Sequence, residues 1–301
     1  MTKILCAPLQ GYTDSAWRTA HSAVFGGIDT YYSPFLRVFH GAIKGLADVS
    51  PERNAGVSLV PQALAGRPED TVRIVEALKK SGYRRIDINM GCPFPPVVKH
   101  RQGAGLLQHK QETEALCSAL AAVPDVAYSV KMRLGVDDFG QWRDVLSCLQ
   151  VIRPVLLTVH ARLAVQQYDG DVNLDAFGQL LAEAGCPVAY NGDVTSVADI
   201  SRITATFPAV SAVMIGRGLV ADPAMLCPEL ATPANYSRFH DMIFSTLSQR
   251  NNGGDHILLA KMKSLWTLFL PNAPRKARKA IKKSTTLDKY HSAVAQLFAE
   301  L

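Results

Sequence analysis

Short runs of β-branched and aliphatic residues recur between residues 4 and 218. Runs of this kind, separated by stretches with helical periodicity, predict buried parallel strands that alternate with helices. The predicted strands cover residues 4–9, 30–36, 57–64, 84–91, 127–135, 155–163, 187–193 and 212–218.

The stretches between these strands carry apolar side chains at helical spacing. Over residues 68–80, Val75 and Leu78 share one face, with acidic residues early and lysines late, which favours a helix. Thr13 and Asp14 are expected to cap the first helix. Residues 37–56 lack the periodicity and are expected to form a long loop. The predicted helices are Asp14–Phe25, Pro68–Lys80, Gln111–Val123, Phe139–Ile152, Leu174–Ala184 and Val197–Phe207.

Eight strand units, each followed by a helix or loop, are typical of an α/β fold of the TIM (β/α)8 barrel type. A doubly wound open sheet is the alternative. Such sheets usually have fewer strands and a GxGxxG loop after the first one, and this sequence has no such loop there. We therefore expect a barrel.

The strand pattern stops beyond Pro233, and four helices are predicted, separated by Asn/Gly-rich and Pro-rich breaks. We expect a barrel domain over residues 1–234, followed by a small all-helical C-terminal domain over residues 235–301. The four helices are predicted at Tyr236–Arg250, His256–Leu270, Pro274–Lys283 and Leu287–Leu301.

Charge is distributed unevenly between these two parts. The chain has a net charge of +6, but residues 235–301 hold 11 Lys and Arg against 4 Asp and Glu. The remaining residues are therefore close to neutral. A basic appendage on a neutral core indicates a partner that is a polyanion, although a solvated helix that only aids solubility remains the alternative.

Composition narrows the class of protein further. Apolar residues make up 48 % and charged residues 19 %, which suits a packed globular protein. No apolar run reaches the roughly 18 residues of a membrane span, and the N-terminal residues do not resemble a signal peptide. The six cysteines are scattered without metal-ligand spacing, so we expect a cytoplasmic protein without disulfides or a metal site. His21, His100 and His109 are expected to face solvent.

Polar residues cluster where the predicted strands end, which is where barrel enzymes carry their chemistry. Lys131 lies inside the apolar strand 127–135, and an ammonium there needs an anion or an electron-rich ring as a partner. Asn191-Gly192-Asp193 and Gly216-Arg217-Gly218 follow strands seven and eight, where such barrels hold a phosphate. Glycines for tight turns with a structural Arg–Asp pair are the alternative explanation.

Cys92 follows the fourth predicted strand in the segment Asn89-Met90-Gly91-Cys92-Pro93. Its place among polar strand ends makes it a candidate reactive thiol, although a single cysteine is more often inert. The nearby Gly103-Ala104-Gly105 is typical of a pliable lid or of a surface turn.

Taken together, these segments resemble the tRNA-dihydrouridine synthase family, from residue 4 to about residue 225. They occur in the family's order, and the Asn-x-Gly-Cys-Pro element is the most specific of them. The loop Phe94-Pro95-Pro96 departs from the family pattern, in which a small or basic residue and lysines are more common. The segments that carry the resemblance are Ala7–Asp14, Asn89–Pro93, Val130–Arg133, Val159–Arg162, Asn191–Asp193 and Met214–Gly218.

The resemblance implies reduction of the uracil C5=C6 bond in the D-loop of tRNA by an FMN enzyme, with NADPH (or NADH) as the reductant. No side chain supplies electrons, so this chemistry requires a cofactor. Cys92 matches the family's general acid, which protonates C5 while the flavin delivers hydride to C6. The residues that match flavin contacts are Pro8, Leu9, Gln10, Gln62, Lys131, His160, Asn191, Gly192, Asp193, Gly216 and Arg217. Those that match the uridine site are Asn89, Arg133 and Tyr168.

Two other functions stay open at this point. One is an FMN barrel that acts on a small free pyrimidine, similar to dihydroorotate dehydrogenase, which has no need of a basic tail. The other is a catalytically idle RNA-binding protein, which the presence of Cys92, Lys131 and Asn191 argues against. With tRNA covering much of the surface, a monomer is expected.

Overall fold

The computed structural model describes residues 2–301. Its strands are β1 (Lys3–Cys6), β2 (Thr30–Tyr32), β3 (Arg37–Phe39), β4 (Ala42–Lys44), β5 (Leu59–Val60), β6 (Gln62–Leu64), β7 (Arg85–Met90), β8 (Ala127–Gly135), β9 (Leu156–Leu163), β10 (Val188–Asn191) and β11 (Ala212–Ile215). Nine of them form one sheet in the order β5-β2-β1-β11-β10-β9-β8-β7-β6, in which neighbouring strands are parallel.

This sheet is a closed barrel because β5 and β6 are two halves of one strand. Only Pro61 separates them, and a proline has no N–H with which to continue a ladder. β5 pairs with β2 and β6 pairs with β7, so the ring contains eight parallel strands. The carbonyl of Pro61 still accepts a hydrogen bond from the Asp87 N–H at 2.9 Å. The predicted TIM barrel is confirmed.

Helices follow most of the strands and cover the outside of the barrel. Asp14 caps the first helix by accepting a hydrogen bond from the Trp17 N–H at 3.1 Å, whereas the Thr13 hydroxyl accepts one from the Leu9 N–H instead. The helices of this region are α1 (Ser15–Val24), α2 (Pro68–Lys80), α3 (Pro95–Lys99), α4 (Lys110–Ala121), α5 (Trp142–Leu149), α6 (Leu174–Glu183), α7 (Val197–Thr206) and α8 (Arg217–Ala221).

The long loop predicted over residues 37–56 is wrong. β3 and β4 form a hairpin there, and two 3-10 turns follow at Leu46–Val49 and Pro51–Asn54. The fully buried guanidinium of Arg18 fixes this segment, since it donates hydrogen bonds to Asp48 and Asn54. Three-residue strands are too short to produce a recognisable hydrophobic periodicity in the sequence.

Other predictions are also wrong in detail. Strand eight ends at Ile215 rather than at Gly218, because α8 begins at Arg217. Gly103-Ala104-Gly105 is neither a lid nor a surface turn: it lies buried in a 3-10 helix, and a Cβ on Gly105 would lie 2.5 Å from the Val98 carbonyl oxygen. His21 is buried between the Tyr31 hydroxyl and the Pro223 carbonyl, and burial lowers its pKa to about 4.

Four further helices pack against the barrel: α9 (Pro233–Gln249), α10 (Asp255–Leu265), α11 (Arg275–Lys283) and α12 (Leu287–Ala299). α9 lies on α1, and Phe239 meets Trp17 edge-on at 5.9 Å and lies 5.7 Å from Phe269. The apolar core therefore runs without interruption from the barrel into these helices. The division into two domains at residue 234 stays a prediction.

We expect Phe239→Ala to lower the free energy of unfolding by about 3–5 kcal/mol, because it empties a fully buried aromatic site between the barrel and the C-terminal helices. Phe39→Ala is the matched control, since that ring is 48 % exposed at the hairpin tip. Urea denaturation followed by tryptophan fluorescence measures both. If both variants lost the same free energy of unfolding, the barrel and the C-terminal helices would not share an apolar core.

Candidate active site

A cavity of about 1140 Å³ opens at the carboxyl ends of the barrel strands. One wall comes from the C-terminal part of the chain, including Leu268, Leu270 and Pro271. The structure brings together fourteen of the fifteen predicted site residues here: Pro8, Leu9, Gln10, Asn89, Cys92, Lys131, Arg133, His160, Tyr168, Asn191, Gly192, Asp193, Gly216 and Arg217.

Cys92 lies directly after β7, in a loop that the Asn89 side chain fixes. The Asn89 Oδ1 accepts hydrogen bonds from the N–H groups of Gly91 at 3.1 Å and of Cys92 at 2.9 Å. The Cys92 carbonyl in turn accepts one from Ala104 at 3.1 Å. Burial raises the pKa of the half-buried Cys92 thiol, so it carries its proton at neutral pH. The cavity thus contains a protonated thiol on a loop whose backbone is held by hydrogen bonds.

Lys131 extends from β8 into the same cavity. Within residues 2–301 its ammonium has no hydrogen-bond or ion-pair partner that the structure records. Burial, and then the charge of Arg133, lower its pKa to about 8. An ammonium without a partner in such a place favours an anionic or electron-rich ligand.

Arg133 is buried in the cavity wall and ties two loops together. Its guanidinium donates hydrogen bonds to the carbonyl of Gly91 at 3.0 Å, of Leu163 at 2.8 Å and of Gln167 at 2.7 Å. Its guanidinium carbon also lies 5.5 Å from the centre of the Tyr168 ring. Arg133 therefore holds the loop of the thiol against the loop after β9.

Asp193 lies between two guanidinium groups at the end of β10. It pairs with Arg162 and, at 3.1 Å, with Arg217. The Arg–Asp pair that the sequence offered as an alternative is therefore present. Two guanidiniums share one carboxylate, which leaves an excess positive charge, and Arg217 is 42 % exposed towards the cavity. This loop therefore contains a structural ion pair and also a surplus of positive charge.

Gly192 lets the backbone of this loop come close to its neighbours. Its φ is +142°, and a Cβ there would lie 2.8 Å from the Val172 side chain. Next to it, the Asn191 amide donates a hydrogen bond to the Met214 carbonyl at 2.8 Å. His160 is buried beside Arg162, and burial together with the nearby cations lowers its pKa well below the usual range. The imidazole is therefore neutral.

Gln62 is the one predicted site residue that does not line the cavity. It lies fully buried beneath the cavity, where its Nε2 donates a hydrogen bond to the Asp87 carboxylate and its Oε1 accepts one from Asn89, both at 2.7 Å. Asp87 was not anticipated. The alternation Asp87-Ile88-Asn89 places both polar side chains on one face of the strand, and that signal was available in the sequence.

The sequence patterns did not predict several other residues that line the cavity. Arg37 lines the cavity from the start of the hairpin, and Pro271–Ala273 line it from the connection between α10 and α11. Neither segment carries a motif. Both reach the cavity through tertiary packing alone.

Within residues 2–301 there is no helix long and apolar enough to cross a membrane. The same residues contain no group of three or more His, Cys, Asp or Glu placed to hold a metal ion.

Comparison with known proteins adds independent information. The family model described as dihydrouridine synthase matches residues 5–267. The tRNA-dihydrouridine(16) synthases of Cupriavidus necator and Ralstonia nicotianae are each 33 % identical over 233 residues. The aligned region covers 74 % of this chain in both cases, and 72 % and 71 % of the respective relatives.

Among solved structures, a complex of 2-naphthoyl-CoA reductase superposes with a TM-score of 0.51 at 11 % identity. The match covers 80 % of this chain and 51 % of that one, and it shows a shared fold only. The family match extends over the barrel and the first C-terminal helices, and it includes every residue that builds the cysteine loop and the Asp193 loop. This chain belongs to the dihydrouridine synthase family.

Proposed function

We propose that this protein reduces the C5=C6 bond of a uridine in tRNA, with FMN as its cofactor and NADPH or NADH as the reductant. The observation that carries the proposal is one cavity with a protonated thiol, Cys92, and an ammonium without a partner, Lys131. Several relatives carry position 16 in their names, so we propose uridine 16 as the target. We also propose that the protein is a cytoplasmic monomer, because its proposed substrate is tRNA.

The residues present fit FMN. Lys131 has the positive charge that an electron-rich ring requires when it is reduced, and Arg217 with the Gly192 and Gly216 backbone suits a phosphate. Pro8, Leu9 and Gln10 line the same cavity after β1. When bound, FMN supplies the hydride for C6, and the nicotinamide cofactor then reduces the flavin again.

Cys92 supplies the proton that completes the reduction at C5. A general acid must hold its proton at the working pH, and the raised pKa of Cys92 meets that condition. Asn89 holds the backbone of the Cys92 loop, so the main chain that carries the thiol is in place before the substrate arrives.

Basic residues that border the cavity suit the RNA backbone. The helix α11 begins shortly after the wall residue Ala273. Five of its basic side chains are exposed: Arg275, Lys276, Lys279, Lys282 and Lys283. Arg278 differs, because its guanidinium donates hydrogen bonds to the Pro271 and Trp266 carbonyls. The exposed residues are therefore the ones that are available to phosphates.

A second groove, of about 700 Å³, shares Gln10, Phe35 and Arg37 with the main cavity. Its two acids are already paired, Asp14 with Lys261 at 2.6 Å and Asp48 with Arg18 at 3.1 Å. The other cations of the groove have no acidic partner among the described residues: Arg37, Lys44, Arg53 and Arg250. This side of the mouth also favours a polyanion.

We expect the purified protein with FMN and NADPH to form dihydrouridine at position 16 of unmodified tRNA, and Cys92→Ala to lose at least about 100-fold in rate through loss of the acid. Mapping of dihydrouridine by mass spectrometry measures both. Cys227→Ala, outside the cavity, is the control and should keep full activity. Reduction of free uridine as fast as tRNA would instead support a small-pyrimidine enzyme.

We expect the affinity for reduced FMN to fall as the pH rises through about 8, because Lys131 loses its charge there in the cofactor-free protein. Below that pH the ammonium is protonated and stabilises the negatively charged reduced ring, and above it this contribution is lost. Anaerobic equilibrium dialysis with reduced FMN from pH 7 to 9.5 measures the change. Lys131→Met should bind reduced FMN about tenfold more weakly at pH 7 and show a flat profile. Lys99→Met, exposed on α3, should behave as wild type.

We expect the double variant Lys276→Gln/Lys279→Gln to bind tRNA more weakly than wild type. We also expect the slope of log affinity against log salt concentration to become smaller by about one unit for each lost phosphate contact. Lys3→Gln/Lys80→Gln removes the same charge from exposed positions at the opposite end of the barrel and should leave the slope unchanged. Filter binding at several salt concentrations measures both. Identical slopes would mean that α11 does not meet the RNA.

A further inference from the structure

Phe94 is an exposed aromatic ring that lines the cavity from the loop of the candidate acid. Its side chain is 58 % exposed and lies two residues beyond Cys92 along this loop. The segment Phe94-Pro95-Pro96 is also where the sequence departs from the family pattern. Neither the hydrogen bonds of the loop nor the proposed proton transfer makes use of the ring.

The backbone around Phe94 is constrained by its own sequence. Pro95 and Pro96 follow it, and a residue that precedes a proline is restricted to extended values of ψ, which is 121° for Phe94. Its carbonyl accepts hydrogen bonds from the N–H groups of Val97 at 2.8 Å and Val98 at 3.1 Å. The main chain that carries the ring therefore loses little freedom when a ligand covers the ring.

Exposed aromatic rings gather at this end of the barrel. Among the Phe, Tyr and Trp side chains of residues 2–301, three are exposed: Phe39, Phe94 and Tyr168. Phe94 and Tyr168 line the cavity. Phe39 has its ring centre 5.3 Å from the guanidinium carbon of Arg37, which also lines it. A single exposed ring is ordinary on a protein surface, but three at or beside one opening indicate a surface that a ligand covers.

The charges around Phe94 favour a polyanion as that ligand. Arg37 and Lys99 are exposed and have no ion-pair partner within residues 2–301, and Arg37 is close enough for its charge to lower the pKa of the Cys92 thiol against the effect of burial. The acids that line the cavity, Asp193 and Asp222, already accept hydrogen bonds from other side chains. Aromatic faces among unpaired cations suit single-stranded nucleic acid, because bases stack on the rings while the cations meet phosphates.

We propose that Phe94 is a substrate-binding residue whose ring stacks on the nucleobase next to the target uridine. A uridine that reaches Cys92 has left the stack of the RNA, so its neighbour has an uncovered face at the opening of the cavity. The Phe94 ring covers that face. The inference rests on the proposed function, because it takes a uridine of tRNA as the occupant of the cavity.

A thermodynamic cycle between the ring and the base tests the proposal. Filter binding to the full-length protein with oxidised FMN compares wild type with Phe94→Ala, on intact unmodified tRNA and on tRNAs with an abasic nucleotide on either side of position 16. We expect Phe94→Ala to bind intact tRNA about tenfold more weakly, and one of the two abasic tRNAs to cost wild type a similar factor. The two changes together should cost no more than twofold beyond either alone, because both remove the same contact.

Three further variants show whether the contact is stacking. Phe94→Tyr keeps an aromatic face and should bind tRNA within twofold of wild type. Phe94→Leu keeps an apolar side chain without a ring and should lose at least fivefold. Phe39→Ala removes an exposed ring that does not line the cavity, so any loss that it causes should multiply with that of the abasic nucleotide.

Steady-state kinetics separate a contact with RNA from support of the thiol. We expect Phe94→Ala to raise the KM for tRNA about tenfold and to leave kcat within twofold of wild type. A fall in kcat with KM unchanged would overturn the proposal, as would losses that multiply with both abasic tRNAs. If wild type binds tRNA but forms no dihydrouridine, the proposed function fails while the cycle still decides the role of Phe94. A wild-type protein that does not bind tRNA would overturn both.

Discussion

The charge of Lys131 inside the barrel is the constraint on which the rest of the site depends. A strand that carries an ammonium among apolar residues is stable only if the fold also provides room and a partner for that charge. The closed ring of strands supplies the room, at the ends where the loops meet. No acidic side chain among residues 2–301 lies within ion-pair distance of the Lys131 ammonium, and guanidinium groups also outnumber the carboxylate around Asp193.

The barrel could be predicted because its strands are buried on both faces and therefore appear as mainly apolar runs with a few polar residues, as in residues 127–135 and 155–163. The polar strand ends followed from that pattern. All fourteen lining residues named in advance lie in the barrel strands or in the segments that directly follow them, and Tyr168 is the one furthest from its strand, in the loop after β9. Local sequence carries this information because each strand end is adjacent in the chain to its own loop.

What could not be predicted depends on partners that are distant in sequence. The buried place of Gln62 follows from its register opposite Asp87, which no local pattern reveals. The hairpin around Arg37 depends on Arg18, which binds Asp48 and Asn54 from another element. The basic helix was anticipated from charge alone, but charge could not separate Arg278, which supports the wall, from its exposed neighbours.

The wall formed by residues 268–273 has a consequence for how the proposed substrate enters. The Leu270 N–H donates a hydrogen bond to the Ala221 carbonyl at 2.9 Å, and the aromatic core beneath joins this wall to the barrel. The wall is therefore packed on the same core as the barrel. The energy of unstacking the nucleotide must then come from the RNA and its backbone contacts, so a loosely folded tRNA arm is a better substrate than a rigid one.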